Sequence, residues 1–557
     1  MNPTFVRLLS ATVVGASVLA AASLPGGRDG NAQPNAPGLR ERNAEYTATH
    51  CQPCHSGPLD AEELQRNPDR FAGYENYIKL GAHEFIRLCE NRVWKDSDLH
   101  SQAAANIDPT GPENSIAVRM QDALRRHRPD GYQIHRAAEC LTCHAVDLTV
   151  GRVPAVALAD KKVEDFETQF GVSCEACHGL AENWVGDHFR AGTWRKTSPE
   201  DKAKKGLVDL RDSYVRATKC ASCHIGSREE GKFVTHEMYA AGHPPLPPFE
   251  VVTFSRDQPA HFYSARDNKV LRKLAGVDAG EAWRLFHYRV PPDDKTPSGE
   301  NPDARSFAVG SVAAFETAMK LLADDARVVA AKPGELLDFA HFDCFACHHD
   351  LKVGSDRQKP RPGIAPGRPT MRPLPTETVR AVFAHGEEAR RGELGTAATA
   401  LRTHLKELNS AFNSRPFGDP QQVSLHAAAL AKAVGGARPA IGEIVYTPDE
   451  TRKLHAQLAA RLTKLQSRKD GPPGDDGLYL DHDTAQQLAW GLLVLKQELG
   501  GKPDVADLDR VVALQVRPKV RQPVGVRLER RLNQLYQFQS ADFFRASAGL
   551  LTGPGGK

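Results

Sequence analysis

The chain lacks an excess of charge of either sign. Its 72 Lys and Arg against 69 Asp and Glu leave a formal net charge of +3 over 557 residues. A balance that even argues against a nucleic-acid partner or a polybasic membrane surface. Beyond the N-terminus no segment reads as a bilayer span, which needs about 20 consecutive apolar residues. A zincin site is also missing. His236 and His243 stand seven apart in Thr235-His236-Glu237-Met238-Tyr239-Ala240-Ala241-Gly242-His243-Pro244, whereas His-Glu-x-x-His sets its histidines four apart on one helix face. Unpatterned cysteine is almost absent: ten of the 11 cysteines fall in one recurring pattern, and only Cys89 is left over.

That pattern is Cys-x-x-Cys-His, and it occurs at Cys51, Cys54 and His55; Cys140, Cys143 and His144; Cys174, Cys177 and His178; Cys220, Cys223 and His224; and Cys344, Cys347 and His348. The spacing is that of c-type haem attachment. Two thiols must add to the two vinyl groups on one porphyrin edge, and residues i and i+3 share one face of a helical turn. The histidine at i+4 continues that face and brings an imidazole under the iron. Zinc ribbons use such pairs two at a time and give no reason for a histidine after every second cysteine. A thioredoxin-like pair would explain one copy, not five. A disulfide framework suits short secreted chains. The expectation is five covalently bound haem c groups.

Arg7 precedes an apolar run from Leu8 to about Leu24 that ends in Ala20-Ala21-Ala22-Ser23. A short positive region, an apolar stretch and small residues describe a cleaved secretory signal over 1–24; a retained anchor is the alternative, and only then would a membrane be a partner. Export, periplasmic or otherwise, agrees with haem attachment, which takes place outside the cytoplasmic membrane. Residues 25–48 read as a flexible lead-in. Residues 49–351 hold all five motifs, and a Pro/Arg-rich linker follows over 352–375. Residues 376–557 read as a separate helical domain without cofactor, with helices expected over Thr376 to Leu408, Asp449 to Gln466, Asp483 to Leu499 and Val524 to Leu551. There His385, His404, His426, His455 and His482 are expected to be solvated or structural. Helical character also marks 71–94 and Gly310 to about Ala331.

Five irons create a demand for second ligands, open to His50, His83, His100, His127, His135, His188, His236, His243 and His341. His100, His188 and His243 lead, and His236 and His341 follow. His100 closes a Trp94…Ser97…His100 arrangement. His243 is held on a rigid turn, because Gly242 and Pro244 end any helix there. His261 and His287 fall in a stretch of mixed character. Cys89 reads as a small buried hydrophobe, with a reactive or iron-ligating thiol as the alternative.

Gly171-Val172-Ser173-Cys174-Glu175-Ala176-Cys177-His178-Gly179 and the later His236-Glu237…Ala241-Gly242-His243-Pro244 segment resemble the cytochrome c554 family of multihaem c-type cytochromes. Trp94…His100 is similar to a ligand segment of the same family. The resemblance spans roughly 49–351. It implies a mainly α, loop-rich fold around stacked haems, two histidines on most irons, and periplasmic electron transfer with redox partner proteins, beside nitrogen-oxidising enzymes. The family's four haems against five motifs here leave pathway and partner open. The leading expectation is an electron carrier. The alternative is a multihaem oxidoreductase acting on a small nitrogen or sulfur compound at one open-site haem, although no Cys-x-x-Cys-Lys variant is present. A third reading makes the C-terminal helices a docking module.

Overall fold

A computed structural model describes residues 50–551 apart from 60, 68, 71–87, 112–114, 151–154, 189–193, 195–196, 263–299, 349–368, 373, 415, 468–479 and 517–523. The expected signal and lead-in, His83, His287 and most of the linker lie outside the described residues. The described residues are mainly helical and loop-rich, and their sheet is one antiparallel pair, Val146–Asp147 with Phe166–Glu167. The mainly α class expected from the sequence is what the structure has.

Two kinds of helix divide the chain. Up to residue 262 the helices are short, from one turn to three, and are joined by 3-10 turns and loops. From Pro302 onward they lengthen: Pro302–Ala330, Thr376–Ala389, Gly395–Phe412, Pro420–Gly442, Pro448–Ser467, His482–Glu498, Ala506–Val512, Val524–Gln537 and Ser540–Leu551. Their starts are capped as side-chain chemistry dictates. Asp419 accepts from the backbone of Gln421 and Gln422 ahead of Pro420 at the first turn, and Asp481 accepts from Thr484. The stretch expected as one helix from Thr376 to Leu408 is two, broken at 390–394, where Gly392 takes a positive φ of 89°.

The long helix Pro302–Ala330 is the centre of the largest core. It is buried on every side from Ala304 to Met319. It is apolar and long enough to cross a membrane by length and composition, yet nearly all of its apolar stretch is buried inside the protein. A helix apolar all round is what the middle of a large core requires. It packs on helices 420–442, 213–224, 376–389 and 482–498. Residues 302–330, on the haem-binding side of the linker in sequence, therefore share one core with the helices beyond it. Gly435 permits that closeness, since a Cβ there would lie 2.8 Å from the Glu316 carboxylate.

The same helix supports the fourth motif. Tyr214, at the start of helix Ser213–His224, donates through its hydroxyl to Glu316 at 2.9 Å. Ala217 and Ala221 bury their small side chains in the core beside the long helix. The long helix, itself packed on the helices after residue 375, thus supports a Cys-x-x-Cys-His turn without carrying one.

Candidate haem sites

Every motif lies on a helical turn. The helices are Gln52–His55, Ala138–His144, Cys174–His178, Ser213–His224 and Cys344–Cys347, so in each the two thiols share one face. The first four turns lie next to one another. The Cys174 thiol donates to Cys51, which lowers the proton affinity of Cys51 and raises that of Cys174. Cys143 donates to Cys223 in the same way. Burial pushes the Cys220 thiol up to about 12, with Cys177 beside it adding to the rise. The motifs are therefore neighbours in the order first, third, fourth, second.

The imidazoles come in pairs. The ring of His55 lies 6.3 Å from that of His188, with planes 15° apart. The ring of His224 lies 6.2 Å from that of His100, at 87°. Two metal–imidazole bonds of about 2 Å, with about 1 Å from each nitrogen to its ring centre, would set such rings about 6 Å apart. Electrostatics gives two further pairs. Burial, with His144 beside it, holds His243 down at about 4. Burial, then His261, then His55, holds His178 down at about 4 as well. Burial and His100 lower His224 to about 3. Neutral imidazoles are the form that binds a metal.

Partners at Nδ1 set which ring nitrogen is left for a metal. His144 donates from Nδ1 to the carbonyl of Ala103 (2.8 Å), and His243 to that of Pro244 (2.8 Å). His188 donates to Val185 (2.6 Å) and His261 to Pro259 (3.3 Å). Carboxylates serve the others: His55 Nδ1 lies 2.9 Å from Glu90 and His100 Nδ1 lies 2.9 Å from Asp98. Burial opposes charge on His100, and Asp98 outweighs it and raises its proton affinity. In each case Nε2 is the nitrogen that chemistry leaves for iron.

These pairs depend on local backbone. Trp94 donates from its indole to the carbonyl of Val172 (3.0 Å), and Val172 donates to the carbonyl of His100 (3.0 Å). That clamps the Trp94…His100 segment onto the third motif. Gly179 ends the third motif turn at φ 83°, where a Cβ would sit 2.0 Å from the carbonyl oxygen of Gly206. Gly242 ends helix His236–Ala241 in the left-handed region at φ 116°, and His243 donates back to Met238 (3.0 Å). The rigid turn expected at His243 is present.

A family profile described as "Cytochrome c554 and c-prime" matches residues 87–179. The chain resembles the cytochrome c554 family. The matched stretch contains the second and third motifs and His100. Cytochrome c-554 of Nitrosomonas europaea is 27% identical over 205 residues, covering 35% of this chain and 75% of that protein. No solved structure matches. A c-type cytochrome of electron transfer, with covalent haem, is what this likeness supports.

The donor set fits haem c. Thiols at i and i+3 and an imidazole at i+4 recur at five helical turns; two of the motif imidazoles meet a second ring, and two more have a second imidazole in their electrostatic surroundings. None of the cysteines among the described residues is in a disulfide. Of the candidate second ligands, the structure brings His100, His188 and His243 to a motif histidine. His261 was not among the candidates, and it stands beside His178. Its one sequence signal is a setting after Pro259, akin to His243 beside Pro244.

The remaining candidates are placed otherwise. His341 turns Nε2 to Asp325 at 2.8 Å, and Asp325 is also paired with Arg228. His236 packs edge-on against Phe339 at 5.5 Å. His127 and His50 are exposed, and His135 is half-buried with Nδ1 lacking a hydrogen-bond partner. Cys89 is fully buried, as a small hydrophobe would be. In the C-terminal region His385, His455 and His482 are buried, and His385 Nε2 lies 2.9 Å from Glu450. His404 and His426 face each other with Nδ1 atoms 3.1 Å apart.

Proposed function

We propose that the protein is an exported, periplasmic electron-transfer cytochrome that carries five covalent haem c groups between redox partner proteins. The observation that carries this reading is the pairing of motif imidazoles with second imidazoles at 6.2 and 6.3 Å. When bound, haem supplies an iron that takes up or releases one electron. The ten cysteines would hold the five groups covalently. His55, His144, His178, His224 and His348 would bind the irons from the motif side. His188, His243, His261 and His100 would bind the first four from the other side, in that order.

The surrounding residues orient these ligands and keep water away. Phe249 and Phe254 pack on the His224 ring at 6.0 and 4.9 Å, and Trp184 meets His188 at 5.5 Å. Glu90 and Asp98 hold imidazoles by Nδ1, which makes them stronger donors to a metal. Two histidines on an iron leave no position for a substrate, which favours a carrier over a catalyst at those four sites.

Mass analysis and a pyridine haemochrome measurement on the exported protein test the reading together. Five added haems and low-spin spectra from at least four irons are expected. No added tetrapyrrole would sink it. Carbon monoxide binding to one of the first four irons, or turnover of nitrite, hydroxylamine or tetrathionate, would instead favour an oxidoreductase with an open site.

A further inference from the structure

The fifth motif differs from the other four. Cys344, Cys347 and His348 are exposed, while the other eight motif cysteines are partly buried. Its approach is held on one side by His341, whose Nε2 meets Asp325 beside Arg228, and on the other by a helix that leads to the second motif. That helix, His236–Ala241, lies between the two motifs. At its C-terminal end is His243, an electrostatic neighbour of the second motif's His144. At its N-terminal end His236 donates its backbone amide to the Asp338 carboxylate (2.9 Å) and packs its ring on Phe339. Phe339 belongs to the turn that leads into Cys344.

Between these ends a second link is made by Tyr239 and Arg372. The Tyr239 ring meets that of His243 at 5.9 Å. Arg372 reaches the Tyr239 hydroxyl at 3.5 Å and the carbonyl of Leu246 at 3.0 Å. Its backbone is pinned to the fifth motif's approach: Arg372 donates to the carbonyl of His341 (2.8 Å) and Asp343 to that of Thr370 (2.9 Å). The Arg372 guanidinium is also an electrostatic neighbour of Cys344. Arg128 ties the same helix to the second motif, bonding Glu139 and Glu237 at 3.1 Å each.

We propose that the fifth attachment site is a terminal one seated on the second through helix His236–Ala241, with Tyr239 and Arg372 as the pair that couples them. This rests on the haem reading above. The attachment sites then run first, third, fourth, second, fifth. Arg372 is a positioning residue whose cation is shared by the last two sites. A nearby positive charge favours the reduced form of an iron centre, because that form carries one positive charge fewer.

Redox titration of the full-length, haem-loaded protein tests this, with mass analysis as a separate readout. C344A/C347A identifies the fifth site by the loss of one haem in mass and one wave in the titration. His243→Met marks the wave of the second site by its changed ligand spectrum. In C344A/C347A the second-site wave is expected to shift while those of the first and third sites stay. In Arg372→Gln the fifth and second waves are expected to move to lower potential and the other three to stay. A purely structural role for Arg372 would shift none selectively.

An unmoved second-site wave in both variants, or a shift at the first or third site instead, overturns the inference. Should C344A/C347A not mature, Arg372→Gln decides alone, since it leaves every thiol and histidine in place. A wild-type protein with no added haem overturns the function itself. Five haems with an unmoved second wave overturn only this placement.

Discussion

At the scale of single residues, the atoms that matter most here are the Nδ1 partners rather than the ligands. Asp98 is half of such a pair: it accepts from the backbone of His100 (3.0 Å), lies against its Nδ1, and receives Gln258 at 3.0 Å. A carboxylate at Nδ1 pushes electron density through the ring and lowers the potential of the iron it binds. On the proposed reading, Asp98→Asn should therefore raise the potential of the site served by His100 most, read by spectroelectrochemical titration. A second residue gives a pH dependence. Arg92 donates to both oxygens of Glu63 (2.9 and 2.8 Å) and Leu59 donates its amide (2.7 Å), which holds the Glu63 carboxyl down at about 2. A depressed carboxylate stabilises the fold above its ordinary value, near 4.3, and that contribution is lost as pH falls toward 2. Glu63→Gln should cost about 1 kcal/mol at neutral pH. Its denaturation midpoint should also vary less than wild type between pH 4.5 and 2. Motif residues were legible in sequence because covalent chemistry sets their spacing. Of the candidate second ligands, His100 was marked by the Trp94…Ser97…His100 arrangement and His243 by Gly242 and Pro244, while His188 had no such mark. His261 has only Pro259 two residues before it, a weaker mark, and the folding of a distant segment brings it near His178.

Among elements, the helix Pro302–Ala330 was readable from Gly310 onward by its apolar spacing, but not from Pro302, where Arg305 and Ser306 look like solvent-facing residues. Arg305 is buried all the same, because Glu300 lies against it and the carbonyls of Gly442 and Ile444 accept from it. Helix Pro420–Gly442 illustrates the opposite failure. Gly435, Gly436 and Pro439 argue for a break on propensity, yet the helix continues, since Gly435 lets it approach Glu316 and Pro439 comes one turn from its end. Tertiary packing overrides local preference at both places. Phe307 measures how much that packing is worth. It is fully buried, and it lies so close to helix His482–Glu498 that a Cβ on Gly491 would come within 2.7 Å of its ring. Phe307→Ala should cost about 3–5 kcal/mol and lower the thermal midpoint. The absorption spectrum of the motif-bound chromophores at low temperature should stay as in wild type.

For the whole molecule, composition and packing divide the chain at different places. Composition changes at 352–375, where the Pro/Arg-rich stretch separates motif-bearing residues from Ala- and Leu-rich helices. Packing does not: helix 302–330 lies before that stretch and is buried among helices that follow it. A chain ended after Pro375 would uncover the faces of Val312, Phe315, Ala318 and Met319 that now meet the later helices. Each large side chain returned to water costs about 1.5–3 kcal/mol, and a protein's whole stability is about 5–15 kcal/mol. The truncated chain should therefore aggregate or be degraded, rather than fold as a smaller cytochrome. The loss should reach the fourth motif first, because Tyr214, Ala217 and Ala221 of its helix rest on the long helix. Export of the truncated chain followed by haem counting checks this. A soluble product with all five haems would mean that the C-terminal helices are an appendage, and their part would then lie in docking. A product short of the fourth haem, or none at all, would mean that they are the scaffold on which an attachment turn is built.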